Sequence, residues 1–155
     1  PEDSIMITAV TGGIAEWGIG TDGVDLGVVW TEEIVDDEFR VYFSSITREG
    51  AFLTAPQELT DYDVGNADPA LEWDGEEYLV YWKEVVGWLE GKYSYVRLNE
   101  ATMATPEPGY LYTTFGSIGE PDLAVEGIGQ YAMIYRSYVI HDGDNIEFAR
   151  VGGCW

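Results

Sequence analysis

The 155 residues include one cysteine, one histidine and only seven lysines and arginines. A lone cysteine, Cys154, excludes any disulfide within the chain. A lone histidine, His141, excludes a zinc site resting on several imidazoles and reads as an exposed loop residue. Seven cationic side chains against 29 acidic ones give a formal net charge of −22. Such a surface repels nucleic acid and anionic membranes, and it keeps the chain soluble. No apolar run approaches the ~18 residues of a membrane-spanning helix. No basic stretch leads into a short apolar run of the leader-peptide kind, and no segment shows a helical period. Gly-x-Ser-x-Gly, phosphate-loop and dinucleotide fingerprints are absent as well, which removes the commonest local signs of an enzyme.

What is abundant is aromatic and apolar. The chain is 46% hydrophobic and carries six Trp and eleven Tyr, enough for a real core in a single domain. The stretch Asp68 to Glu84, DPALEWDGEEYLVYWKE, predicts a hairpin: a strand over Ala70 to Trp73, a turn at Asp74-Gly75, and a strand over Tyr78 to Trp82. Asp-Gly between aromatic and β-branched runs is a strong short-range hairpin signal.

The hairpin recurs. At an offset of 52 residues Asp22-Gly23 falls under Asp74-Gly75, and Trp30 under Trp82. Tyr131 and Tyr135 lie 53 residues after Tyr78 and Trp82, the extra residue falling near Gly129. Val41 and Phe43, Tyr93 and Tyr95, and Ile146 and Phe148 alternate downstream as half-buried strands do. Repeats are therefore expected at approximately 11–60, 61–113 and 114–155, four short strands in each, with an N-terminal strand over 4–10 completing the last. Trp30, Trp73, Trp82 and Tyr135 hold repeat positions and are expected in the core.

A period of this length with four strands per unit predicts an all-β propeller, with a β-trefoil as the alternative. Pro69, Ala70, Trp73, Asp74, Gly75, Tyr78, Leu79, Val80 and Trp82 together resemble the repeat of secreted bacterial β-propellers, Pro-Ala-x-x-Trp-Asp-Gly-x-x-Tyr-Leu-Val-x-Trp. The resemblance implies a propeller fold, an extracellular or cell-surface location, and a binding or display role without catalytic residues. Three blades are fewer than the ~4–8 of ordinary rings. A homodimer closing a six-bladed ring is one expectation, and membership of a longer chain the other.

Function is expected in the loops, where the copies stop resembling one another. Trp17, Tyr62, Trp88 and Tyr138 beside Asp36 and Asp37 suit a glycan: ring faces stack on sugars, and carboxylates accept hydroxyl bonds. Asp142, Asp144 and Asn145 offer oxygen ligands to Ca²⁺, and Asp61, Asp63, Asn66 and Asp68 form a second such group. The leading expectation is a non-enzymatic module binding a glycan or protein. The alternatives are a purely structural or oligomerisation module and a glycosidase-like enzyme, which requires two converging carboxylates.

Overall fold

A computed structural model of the chain describes residues 13–35, 38–60, 65–87, 90–99, 109–115, 117–118, 121–139 and 143–151. These form twelve strands. The first sheet holds β1 (Ile14–Thr21), β2 (Leu26–Val35), β3 (Glu38–Ile46) and β4 (Gln57–Glu58) in chain order. The second holds β5 (Gly65–Trp73), β6 (Tyr78–Gly87), β7 (Glu90–Leu98) and β8 (Gly109–Phe115), again in order. The third holds β9 (Ser117–Ile118), β10 (Asp122–Gly127), β11 (Gln130–Val139) and β12 (Gly143–Val151). Both β9 and β10 pair with β11, so the two share one edge. All pairings are antiparallel.

Asp74-Gly75 turns the chain between β5 and β6, and Gly75 adopts φ +110°, a value that disfavours any side chain. The run Tyr78-Leu-Val-Tyr-Trp82 is apolar at every position because β6 is covered on both faces. Its Tyr78, Val80 and Trp82, with Leu71, Val96 and Leu98, meet Val29, Val41 and Phe43 of the first sheet. Its Leu79 and Tyr81, with Tyr93, meet Leu123, Tyr131, Met133 and Tyr135 of the third. Each large side chain so buried stabilises the fold by about 1.5–3 kcal/mol. Trp30, Trp82 and Tyr135 are buried, while Trp73 is partly buried against the core between the first two sheets.

The sheets approach closely where side chains are absent. A Cβ on Gly27 of β2 would lie 2.7 Å from Leu71 Cδ1 and 2.9 Å from Tyr78 Cε1, so only glycine fits. The second and third sheets are also latched at their turns. Asp74 Oδ1 accepts from the amides of Glu76 and Glu77, both at 2.9 Å, closing its own turn. Asp74 Oδ2 reaches across to the third sheet and accepts from Gly129 N at 2.8 Å and from the Tyr131 hydroxyl at 2.7 Å. The Arg97 guanidinium lies over the Tyr131 ring, 5.6 Å from its centre.

The propeller expectation is corrected by this arrangement. Among the described residues the sheets stack as an open, solenoid-like row in which the second touches both neighbours, and no closed radial arrangement forms. The six-bladed ring from a homodimer goes with it. A β-trefoil is excluded too, since each sheet is separate and none curls into a barrel. The physical reason is that a sequence period specifies the unit and its nearest neighbour, not the number of units around an axis. The proposed N-terminal strand over 4–10 lies outside the described residues. Among the described residues no helix is long and apolar enough to cross a membrane.

Candidate functional site

The strongest site grows from two matching irregularities. In β1 the pairing with β2 slips between Ile14 and Trp17, and in β5 the pairing with β6 slips between Ala67 and Ala70. Bulges of this kind re-aim side chains. Glu16 sits in the first slip and Asp68, 52 residues later, in the second, so the repeat places a carboxyl at the same point of two edge strands. Buried Thr31 fixes the first bulge: its hydroxyl accepts from Glu16 N at 3.1 Å and donates to Glu16 O at 3.4 Å. Asp68 takes φ +53°, the left-handed region that Asp tolerates better than most residues.

The two bulges touch. The Asp68 amide donates to Glu16 Oε2, and Lys83 Nζ lies 3.6 Å from Asp68 Oδ2. Burial and the neighbouring Asp68 carboxyl push the Glu16 pKa above the usual carboxylate value, outweighing the Asp68 amide and Lys83, which act the other way. Glu16, Trp17, Asp68, Pro69, Ala70 and Pro121 line a cleft of about 440 Å³. Trp17 is 72% exposed. The arrangement offers a flat apolar ring, a carboxyl inclined to hold its proton, and an ion-paired carboxylate within one opening. The two carboxyls are in direct contact, closer than the ~5 Å at which paired carboxyls flank a glycosidic bond.

Of the residues singled out from the sequence as ligand-binding, Trp17 lies in this cleft. Tyr138 is a strand residue of β11 paired with Asp144 on β12, rather than a loop residue. Tyr62, Trp88, Asp36 and Asp37 lie outside the described residues, as do Asp61, Asp63 and Asp142. The calcium expectation is corrected. Asp144 and Asn145 belong to β12, in register with Tyr138 and Ser137, and the Asn145 side chain is exposed. Asp68 is committed to Glu16 and Lys83. Among the described residues no group of three or more His, Cys, Asp or Glu could hold a metal ion.

Glu16 and the role of Asp68 escaped the sequence reading. The available signal was the offset of 52 that joins them, which also leads to Glu120, outside the described residues.

No protein-family model matches the chain, so the resemblance to secreted bacterial β-propellers is not upheld. No curated protein matches it either. Among solved structures the chain is similar to an endo-arabinase from Bacteroides thetaiotaomicron VPI-5482, at a TM-score of 0.58 and 16% identity. The match covers 85% of this chain and 54% of that one, so the chain spans about half the length of the enzyme it resembles. What is shared at this identity is the all-β fold. The expectation of a non-enzymatic module loses its ground, because the architecture is one that a glycan-cleaving enzyme uses.

Proposed function

We propose that the chain is a carbohydrate-handling module of the glycosidase-like kind, with its sugar subsite in the cleft of Glu16, Trp17 and Asp68. The observation that carries this reading is the Asp68 amide on Glu16 Oε2, which sets a carboxyl of raised pKa beside the exposed Trp17. An exposed indole stacks on the apolar face of a sugar ring. Glu16, whose pKa is raised by burial and by Asp68, is the group suited to donate a proton to a glycosidic oxygen as its C–O bond breaks, and it takes a proton back from the water that attacks the sugar carbon. Asp68, held by Lys83, positions Glu16 through its amide. The fold shared with an endo-arabinase supports the reading and suggests arabinose-containing oligosaccharides as first substrates.

The test is hydrolysis of aryl arabinosides and arabino-oligosaccharides, followed by reducing-end release, together with oligosaccharide binding followed by tryptophan fluorescence. Glu16→Gln is expected to abolish turnover and retain binding, and Trp17→Ala to weaken binding at least tenfold. Neither binding nor turnover across a broad glycan panel would refute the proposal.

A further inference from the structure

The stacking of the sheets follows one rule, and the rule leaves one face open. The face that the first sheet turns toward the second carries Val29, Val41 and Phe43, each fully buried beneath Leu71, Tyr78, Val80 and Trp82. The corresponding face of the second sheet carries Tyr81, Tyr93 and Tyr95, which pack on the third. Moving along the repeat once more reaches Ile134, Ile146 and Phe148. These occupy the same register: Ile134 pairs with Phe148 as Val29 pairs with Phe43. Yet Ile134, Ile146 and Phe148 are 45%, 80% and 64% exposed.

The chemistry of this open face is close to that of the first sheet. Aliphatic, aliphatic and phenylalanine recur at the three positions, whereas the second sheet has three tyrosines. Ala132 and Ala124 stand where the first sheet has Gly27 and Gly20, so the positions under Leu71 and Tyr78 stay small. Three adjoining large apolar side chains on one sheet face are a patch of the kind that marks an interaction site, unlike scattered surface hydrophobes.

We infer that the Ile134–Ile146–Phe148 face is a docking surface for one further four-stranded unit of this repeat, with the face chemistry of the second one. The occupant is defined by continuity: the matching face of the first sheet is buried by a Leu-Tyr-Val-Trp surface, and that of the second by the next unit in the row. In a stacked repeat array each added unit contributes its own stability and that of one new interface.

The experiment appends a second copy of residues 61–115 after Trp155 through a flexible Gly/Ser linker. Thermal unfolding is then compared with that of the parent chain. The Tm is expected to rise by about 5 °C or more. Phe148→Asp in the extended protein is expected to remove the gain. The same substitution in the parent serves as the folding control and is expected to move the Tm by no more than about 1 °C, since the ring is already exposed. An appended unit that melts separately with no gain would overturn the inference, as would a gain that survives Phe148→Asp. Self-association of the parent chain in sedimentation, abolished by Phe148→Asp, would overturn it in favour of a second copy as the occupant.

Discussion

Asp22 and Asp74 are the same residue of the same Asp-Gly turn in successive repeats, and the structure gives them different jobs. Asp22 Oδ1 accepts from Val24 N at 2.7 Å and Asp25 N at 2.6 Å, and among the described residues its side chain bonds nothing in the next sheet. Asp74 makes the equivalent turn bonds and adds Gly129 N and the Tyr131 hydroxyl of the third sheet. Asp22→Ala therefore removes local bonds at one exposed and one part-buried amide, which water can reach, and is expected to cost about 0.5–1.5 kcal/mol. Asp74→Ala also strands the hydroxyl of Tyr131, a residue 1% exposed, where water does not reach. A bond to an ionised acceptor is worth about 1.5–3 kcal/mol and an unsatisfied buried donor costs a similar amount, so the expected loss is about 2–4 kcal/mol. Tyr131→Phe removes the donor without stranding it and should cost about 1–2 kcal/mol.

Urea unfolding of the two single variants and the double variant measures the coupling, expected at about 1–2 kcal/mol. Burial works against ionisation of Asp74, but the bonds from Tyr131, Glu76, Gly129 and Glu77 outweigh it and hold its carboxyl below the ordinary aspartate value. A depressed folded pKa means the stabilisation is present above the unfolded value and is lost as pH falls through the folded one. The gap between parent and Asp74→Ala should accordingly narrow only in strong acid. Additivity within about 0.5 kcal/mol, or an Asp74→Ala loss no larger than that of Asp22→Ala, would refute the inter-sheet latch.

Gly27→Ala forces a Cβ against Leu71 and Tyr78 and should destabilise by about 1–3 kcal/mol in the same urea assay. The fully buried Glu84 carboxylate lies 2.6 Å from Lys92 Nζ, and Glu84→Ala should cost about 3–5 kcal/mol by leaving the lysine's charge poorly compensated. Glu16 has a raised folded pKa, so its contribution to stability is fully present below the unfolded value and is lost as pH rises through the folded one. Glu16→Gln, which copies the protonated form, should match the parent in acid and exceed it at neutral pH in thermal melts. Turnover that depends on protonated Glu16 should decline over the same rise in pH.

The hairpin at Asp74-Gly75, the three four-strand units and the core positions of Trp82 and Tyr135 were legible because each follows from local turn chemistry or from periodicity. Closure was not legible. Whether neighbouring sheets form a ring or a row depends on how side chains such as Leu71 and Tyr78 seat against Gly27, and no single-sequence pattern encodes that angle. The site was half legible. Trp17 stood out as an aromatic in an expected loop, although it lies within β1 opposite Trp30, while Glu16 and Asp68 were two of 29 acidic residues. What distinguishes them is a slip in strand pairing, and register is a property of two strands together.

Those slips have a second consequence. The edges of the sheets at β1 and β5 are rows of backbone groups that a foreign strand would copy. Both are broken at the same point of the repeat, at Glu16 and at Asp68. A strand arriving from another molecule would find no uninterrupted ladder to extend at either. The kinks that bring Glu16 and Asp68 together thus also make the β1 and β5 edges poor templates for a fibre, and straightening one would remove that protection from its edge.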